Sequence, residues 1–198
     1  MTLEFFYDVG SPYSYLAAMQ VDDFAADNDL ELRWRPFLLG AVFKETGNAP
    51  PARVPAKAAW MIADLAEWAR MLGVALRFPA SFPTNTLYAQ RALVAVDRRL
   101  GQDALQRASL SLFGAYWGQG RDVADPEVIA DALRLAEIDP ATIAADMQTA
   151  EVKDALRAQT DEAVRRGAFG APTFFVGDAM FFGSDRFDLI AHHLESSP

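Results

Sequence analysis

The sequence predicts an α/β fold in which a small sheet is interrupted by a large all-helical insertion. Three observations carry this expectation. The first forty residues read strand, helix, strand. Residues from Ala52 to about Arg166 show helical periodicity with almost no strand signal, and the chain then returns to two short strands and a helix. At 198 residues and 52% hydrophobic, the length suits one domain, or one domain with a large insertion. Such a chain buries roughly 70% of its unfolded surface and needs no covalent staple.

Residues 3–9 (LEFFYDV) are a short aromatic-rich run, the pattern of a buried strand. Gly10-Ser11-Pro12 punctuates the chain, and residues 13–26 follow with Leu16, Met19, Gln20 and Phe24 at helical spacing. Residues 30–35 (LELRWR) alternate apolar and charged side chains, as a half-exposed strand does, and Pro36 ends them. Together these make a βαβ unit. In the middle, Trp60, Ile62, Leu65, Trp68, Ala69 and Leu72 form an apolar stripe closed by Gly73. Further helices are expected over 87–100 and 103–117. Asp125-Pro126-Glu127 and Asp139-Pro140 start two more, because Asp accepts from free first-turn N–H groups and Pro sits where no donor is needed. Residues 152–166 form the last helix of the block, before Gly167. Residues 172–176 (PTFFV) and 179–182 (AMFF) flank Gly177-Asp178, a two-residue hairpin signal. Residues 184–194 read as a final amphipathic helix. Without the helical block the order is β-α-β-β-β-α or nearly so, the layout of a thioredoxin fold. Residues 1–40 plus 168–198 are thus expected to form a thioredoxin-like domain, and 41–167 a helical insertion domain.

Composition narrows the function. The chain has 18 basic and 27 acidic residues, a formal net charge of −9, and no basic block. Nucleic acids and anionic membranes need clustered Lys and Arg, so neither is an expected partner. Cysteine is absent, which excludes disulfides, thiolate metal sites, a cysteine nucleophile and a dithiol redox couple. The opening MTLEFFYDVG carries two acids and no basic segment, unlike a secretory signal. No run approaches the ~18 apolar residues of a membrane span. A soluble cytoplasmic protein is the expectation.

Few residues are placed for chemistry. Ser11 stands at an expected helix start with Pro12 behind it, and Ser14 lies three residues on, near the same face. The first turn leaves N–H groups free and carries partial positive charge, so an anion is stabilised there without a charged side chain. Ser11 acting only as a helix cap is the simpler alternative. Ala171-Pro172 enters a strand through a proline. Most such bonds are trans, but a cis bond would free the Ala171 backbone to pair with a peptide-like ligand. Ser184 and Asp185 are expected to open the last helix, either as a plain cap or as a second site for a carboxylate and an ammonium. Asn48, in Gly47-Asn48-Ala49-Pro50-Pro51, is by default a turn-former, and Lys57 a solvated charge. His192 and His193 are adjacent on one helix, point about 100° apart and do not share a metal. No metal site is expected.

Taken in order, FYDVGSPYSYLA, GNAPP, RFPASFPTNTL, YWGQGRDVADPEV, GAFGAPTFFV and FFGSDRFDLIAHHL resemble the 2-hydroxychromene-2-carboxylate isomerases. These stand with the kappa-class glutathione transferases in the DsbA-like branch of the thioredoxin superfamily. The resemblance covers essentially the whole chain. Redox relatives carry Cys-x-x-Cys where this chain has Ser11-Pro12-Tyr13-Ser14, and the family borrows its sulfur from glutathione instead. A thiol of pKa near 8.5 falls to ~7.5 or lower at a helix N-terminus. The resemblance implies that Ser11 donates to the glutathione sulfur and that Asn48 orients sulfur or substrate. It implies too that Ala171, before a cis Pro172, pairs with the glutathione backbone. Ser184 and Asp185 would receive the γ-glutamyl end and Lys57 the glycine carboxylate. Phe43, Asn85, Tyr88 and Trp117 would line an aromatic-substrate pocket. The implied reaction interconverts 2-hydroxychromene-2-carboxylate and trans-o-hydroxybenzylidenepyruvate in aromatic catabolism, through a transient glutathione adduct, in a homodimer. A kappa-like transferase or peroxidase, and a non-catalytic binding module of the same fold, are the alternatives.

Overall fold

The structure is a computed structural model of the chain, and residues 1–196 are described. The first strand, β1 (Thr2–Tyr7), leads through a turn into α1 (Pro12–Ala18) and α2 (Val21–Asp27), then β2 (Glu31–Pro36) and α3 (Leu39–Thr46). A single 3-10 turn, Pro51–Arg53, precedes α4 (Pro55–Leu72). The helical block continues with α5 (Leu87–Leu100), α6 (Gln102–Phe113), a π turn at Gly114–Gly118, α7 (Pro126–Leu135), α8 (Pro140–Asp146) and α9 (Ala150–Arg165). The chain closes with β3 (Thr173–Val176), β4 (Ala179–Phe182) and α10 (Phe187–Ser196).

The sheet order is β2-β1-β3-β4, with β1 parallel to β2 and antiparallel to β3. This is the thioredoxin-like arrangement the element order predicted. The aromatic run in β1 is apolar at successive positions because both sheet faces are covered. Leu3, Phe5 and Tyr7 enter the large core with Trp34 and Phe174, continuous with Leu93, Leu105, Phe113 and Leu133 of the helical block. Phe6 points the other way and joins Phe37, Phe175 and Ala163 in a second cluster.

The expected helix over 13–26 is two helices. At the break, the Gln20 side chain donates to the Leu16 carbonyl at 2.9 Å and the Gln20 N–H turns to Ala17 instead. The carbonyl that helical continuation requires is thus taken by a side chain. The stripe expected on α4 is also corrected: Met61, Leu65 and Ala69 face inward, whereas Trp60 (64% exposed) and Ile62 (51%) do not. The third expected helix ends at Phe113, where the backbone widens into the π turn. The last helix begins at Phe187, so Ser184 and Asp185 sit in the preceding turn and do not cap it. Helix α3 was not expected, and the expected domain boundary at residue 40 falls within it. Asp125 and Asp139 cap α7 and α8 as their Asp-Pro pairs require. Among the described residues no helix is long and apolar enough to cross a membrane.

The outer sheet face is closed by four charges. Glu4 accepts from Arg35 at 2.6 Å and from Arg166 at 2.5 Å, and Glu162 of α9 accepts from the same two arginines at 2.5 and 3.3 Å. The Arg166 guanidinium lies 3.8 Å from the Phe175 ring centre, and that of Arg35 lies 4.8 Å from Phe6. All four side chains are 70% or more covered, so removing one partner leaves an imperfectly solvated charge. Glu4→Gln is expected to cost about 2 kcal/mol. The check is a lowered denaturant midpoint with an unchanged slope.

Candidate functional site

The antiparallel pairing of β1 and β3 sets Phe6 opposite Thr173, so the exit of β1 meets the start of β3. Each end carries a turn aimed at the other. Ser11 caps α1: its Oγ accepts from the Ser14 N–H at 3.1 Å, and Pro12 fills the first helical position. The same hydroxyl donates to the Ala171 carbonyl at 3.1 Å. The Ala171–Pro172 peptide is cis, and the Pro172 carbonyl accepts from the Gly183 N–H at 3.1 Å. Strand pairing therefore joins the α1 start, the 170–172 turn and the 183–186 turn.

These turns form the floor of a cleft of about 980 Å³. One wall is α3 with the 48–52 loop, another the face of α4 that carries Lys57, Trp60, Asp64 and Trp68, and a third the segment 82–86, which contains a second cis bond at Phe82–Pro83. Gly10 is required at the floor, since a Cβ there would stand 2.9 Å from Thr86 Cγ2. At the rim a Cβ on Gly170 would stand 2.7 Å from the Phe182 ring, which would have to swing away. That ring packs on Phe169 with centres 4.5 Å apart.

Of the expected site residues, Ser11, Phe43, Asn48, Lys57, Ala171, Pro172, Ser184 and Asp185 all line this cleft. Asn48 holds the wall as well, donating from Nδ2 to the Phe169 carbonyl at 2.8 Å and accepting from the Ala49 N–H. Asn85, Tyr88 and Trp117 lie outside it. Asn85 accepts from the Leu87 N–H and is spent on the start of α5, while the half-exposed Tyr88 ring carries the Arg91 guanidinium at 5.8 Å. Trp117 is fully buried behind the wall, donating from Nε1 to the Val9 carbonyl at 2.8 Å.

Several lining residues were not anticipated. Tyr13, between the two serines, donates to Asp64 of α4 at 2.9 Å. Burial, then that hydrogen bond, then the charges of Asp64 and Asp185 push the Tyr13 phenol far up, so it stays protonated. Arg186 follows Asp185 and pairs with it at 3.2 Å. Asp8, 2% exposed, lies on the floor, and burial raises its carboxyl against three hydrogen bonds that lower it. Its signal was present in the sequence: an acid directly after the aromatic run Phe5-Phe6-Tyr7.

The donor set fits glutathione, a tripeptide with two carboxylates, one ammonium and a thiol. Lys57 and Arg186 supply positive charge, Asp64 and Asp185 negative charge, and the α1 start with Ser11 supplies an uncharged anion site. Among the described residues no cluster of His, Asp and Glu could hold a metal ion.

Fold and site together define a thioredoxin-type protein whose α1 start carries serine and whose chain has no cysteine. Residues 2–195 match the DSBA-like thioredoxin domain family. The chain is 33% identical to human glutathione S-transferase kappa 1, over 98% of this chain and 90% of that protein. It is 30% identical to 2-hydroxychromene-2-carboxylate isomerase of Sphingobium xenophagum, over 98% and 97% of the two chains. A solved structure of a 2-hydroxychromene-2-carboxylate isomerase superposes with TM-score 0.84 at 27% identity, covering 98% of this chain and 95% of that one. The chain belongs to the DsbA-like thioredoxin family, in the group of these isomerases and the kappa-class glutathione transferases.

Proposed function

We propose that the protein is a glutathione-dependent enzyme, and specifically an isomerase acting on 2-hydroxychromene-2-carboxylate or a related aromatic pyruvate. The observation that carries this reading is the Ser11 hydroxyl at the α1 start, opposite the cis Ala171–Pro172 turn, in a cleft with room beyond one tripeptide. The cytoplasm, a homodimeric state and a role in aromatic catabolism belong to the same proposal.

Glutathione, when bound, would supply a nucleophilic thiol for reversible conjugate addition to an unsaturated substrate, without being consumed. The residues supply the setting. The Ser11 hydroxyl turns from the Ala171 carbonyl toward the sulfur and donates to it, while the first turn of α1 adds its partial positive charge. The Ala171 backbone pairs with the tripeptide backbone, as a strand edge does. Ser184 and Asp185 receive the γ-glutamyl end and Lys57 the glycine carboxylate. Asn48 orients the reacting groups from the 48–52 wall. Phe43, Trp60 and Trp68 offer flat apolar surface for an aromatic substrate.

The kappa-like transferase or peroxidase reading has specific support in the 33% identity to human glutathione S-transferase kappa 1. The two readings differ in stoichiometry. In an assay with the chromene and a fixed quantity of glutathione, the expected result is a change in chromene absorbance at constant total glutathione. Loss of glutathione in step with substrate would replace the isomerase by the transferase. If the protein binds glutathione without thiolate absorption and turns over neither substrate, the binding module is the better account.

A further inference from the structure

We infer that Asp8 is a positioning residue for the sulfur site: its carboxylate clamps the starts of α1, α3 and α5 beneath Ser11, and its negative charge opposes ionisation of a thiol held there. The inference rests on the glutathione reading and deepens it.

The clamp is visible in four hydrogen bonds. Asp8 Oδ1 accepts from the Gly10 N–H at 2.9 Å, and Oδ2 accepts from the Leu39 N–H at 2.8 Å and the Thr86 hydroxyl at 3.0 Å. Its backbone carbonyl accepts from the Ser11 N–H at 2.9 Å. Leu39 is the first residue of α3, which has no side-chain cap of its own. Thr86 stands at the cap position of α5 but gives that helix no side-chain bond, its hydroxyl being spent on Asp8. One side chain therefore substitutes for the cap of α3 and tethers that of α5. It also fixes the turn that carries Ser11.

The electrostatic half follows from what surrounds the carboxylate. All three donors are uncharged, and among the described residues no cation pairs with it. Among the described residues, the titratable groups that face it are Tyr7 of β1 and Tyr116 of the π turn. Burial drives the Tyr7 phenol far up and Tyr116 to about 12, so both stay neutral. From α3 and α5 the groups presented are the uncharged Leu39 and Thr86. Every contact to its two oxygens is a donor, the set an ionised carboxylate accepts, and these three bonds oppose the burial that pushes the group toward neutrality. Asp8 is thus a buried net charge under a site whose helix start favours an anion. The opposition has a use: a thiolate stabilised too far loses nucleophilicity along with basicity. The like charge of Asp8 holds the sulfur's midpoint up toward the working pH.

The test is the ultraviolet thiolate absorption of glutathione bound to the protein, followed against pH. In Asp8→Asn the midpoint is expected to fall by about one pH unit relative to the unaltered protein. An unchanged or raised midpoint in a folded variant overturns the inference and leaves the glutathione reading standing. Absence of any thiolate absorption in the unaltered protein removes both. Should the variant not fold, carbon-13 NMR of the Asp8 carboxyl in the unaltered protein decides. Coupling requires the Asp8 titration curve to differ between glutathione and S-methylglutathione, which has no thiol to ionise: it is displaced upward where the thiol ionises first and carries a second inflection at the thiol midpoint where the thiol ionises last. Identical curves with the two ligands would leave Asp8 a purely structural clamp.

Discussion

Ser11→Ala is expected to lower turnover by about 10²–10³-fold while the fold survives. Removing one preorganised donor from a developing or resident anion costs that much in other enzymes, and here the hydroxyl is the side-chain donor at the α1 start. The structural cost is separable and smaller. Ser11 Oγ accepts from the Ser14 N–H and donates to the Ala171 carbonyl, and losing a helix cap costs about 1 kcal/mol. The predicted signature is a moderate fall in thermal stability, a large fall in kcat, and a bound thiol whose absorption midpoint moves to higher pH. A variant that keeps its rate would remove Ser11 from the chemistry and leave it the plain cap. A variant that loses rate without a shift in the thiol midpoint would assign the effect to the displaced Ala171 turn.

What was legible in the sequence follows a physical boundary. Signals that act within a few residues were readable. The Asp-Pro starts of α7 and α8, the glycine after α4, the Gly177-Asp178 hairpin and the doubly buried β1 all depend on local backbone preference or on burial. The cleft residues nearest those signals, Ser11 and the Ala171–Pro172 turn, were marked by the same kind of signal, but local sequence alone favoured a plain cap and a trans proline, and only the resemblance favoured a site. Contacts made across the fold were not readable. Gln20 breaks a helix by a bond to Leu16 that periodicity does not reveal. Helix α3 offers a single buried residue, Val42, too little for an apolar stripe, and takes its N-terminal acceptor from Asp8, thirty-one positions earlier. Tyr13 meets Asp64 only because α4 crosses α1. Trp60 and Trp117 were both recognised as aromatic residues of the helical block, but which of them faces the cleft depends on how the helices pack. Trp60 faces it, and Trp117 stands behind it.

That inversion makes Trp117 the site of the largest expected stability effect. Its ring is fully buried, against Tyr116 at 4.8 Å, Phe82 at 5.5 Å and Phe78 at 5.7 Å between ring centres. Its Nε1 donates to Val9, within the turn that ends at Ser11, and its carbonyl accepts from Arg77. Trp117→Ala removes a buried indole and is expected to cost about 3–5 kcal/mol. Trp117→Phe keeps most of the volume but strands the Val9 carbonyl, at about 1–3 kcal/mol. Denaturant unfolding of both variants checks the order. The consequence for the site follows from what the indole supports. Phe82 and Pro83 line the cleft, so the milder variant should weaken substrate binding more than it alters the thiol midpoint. The Val9 carbonyl is two residues from Ser11, but Ser11 itself is held by Asp8 through its own N–H. A thiol midpoint that moved in Trp117→Phe as far as in Ser11→Ala would show that this hold is too weak to insulate the sulfur site from its supporting wall.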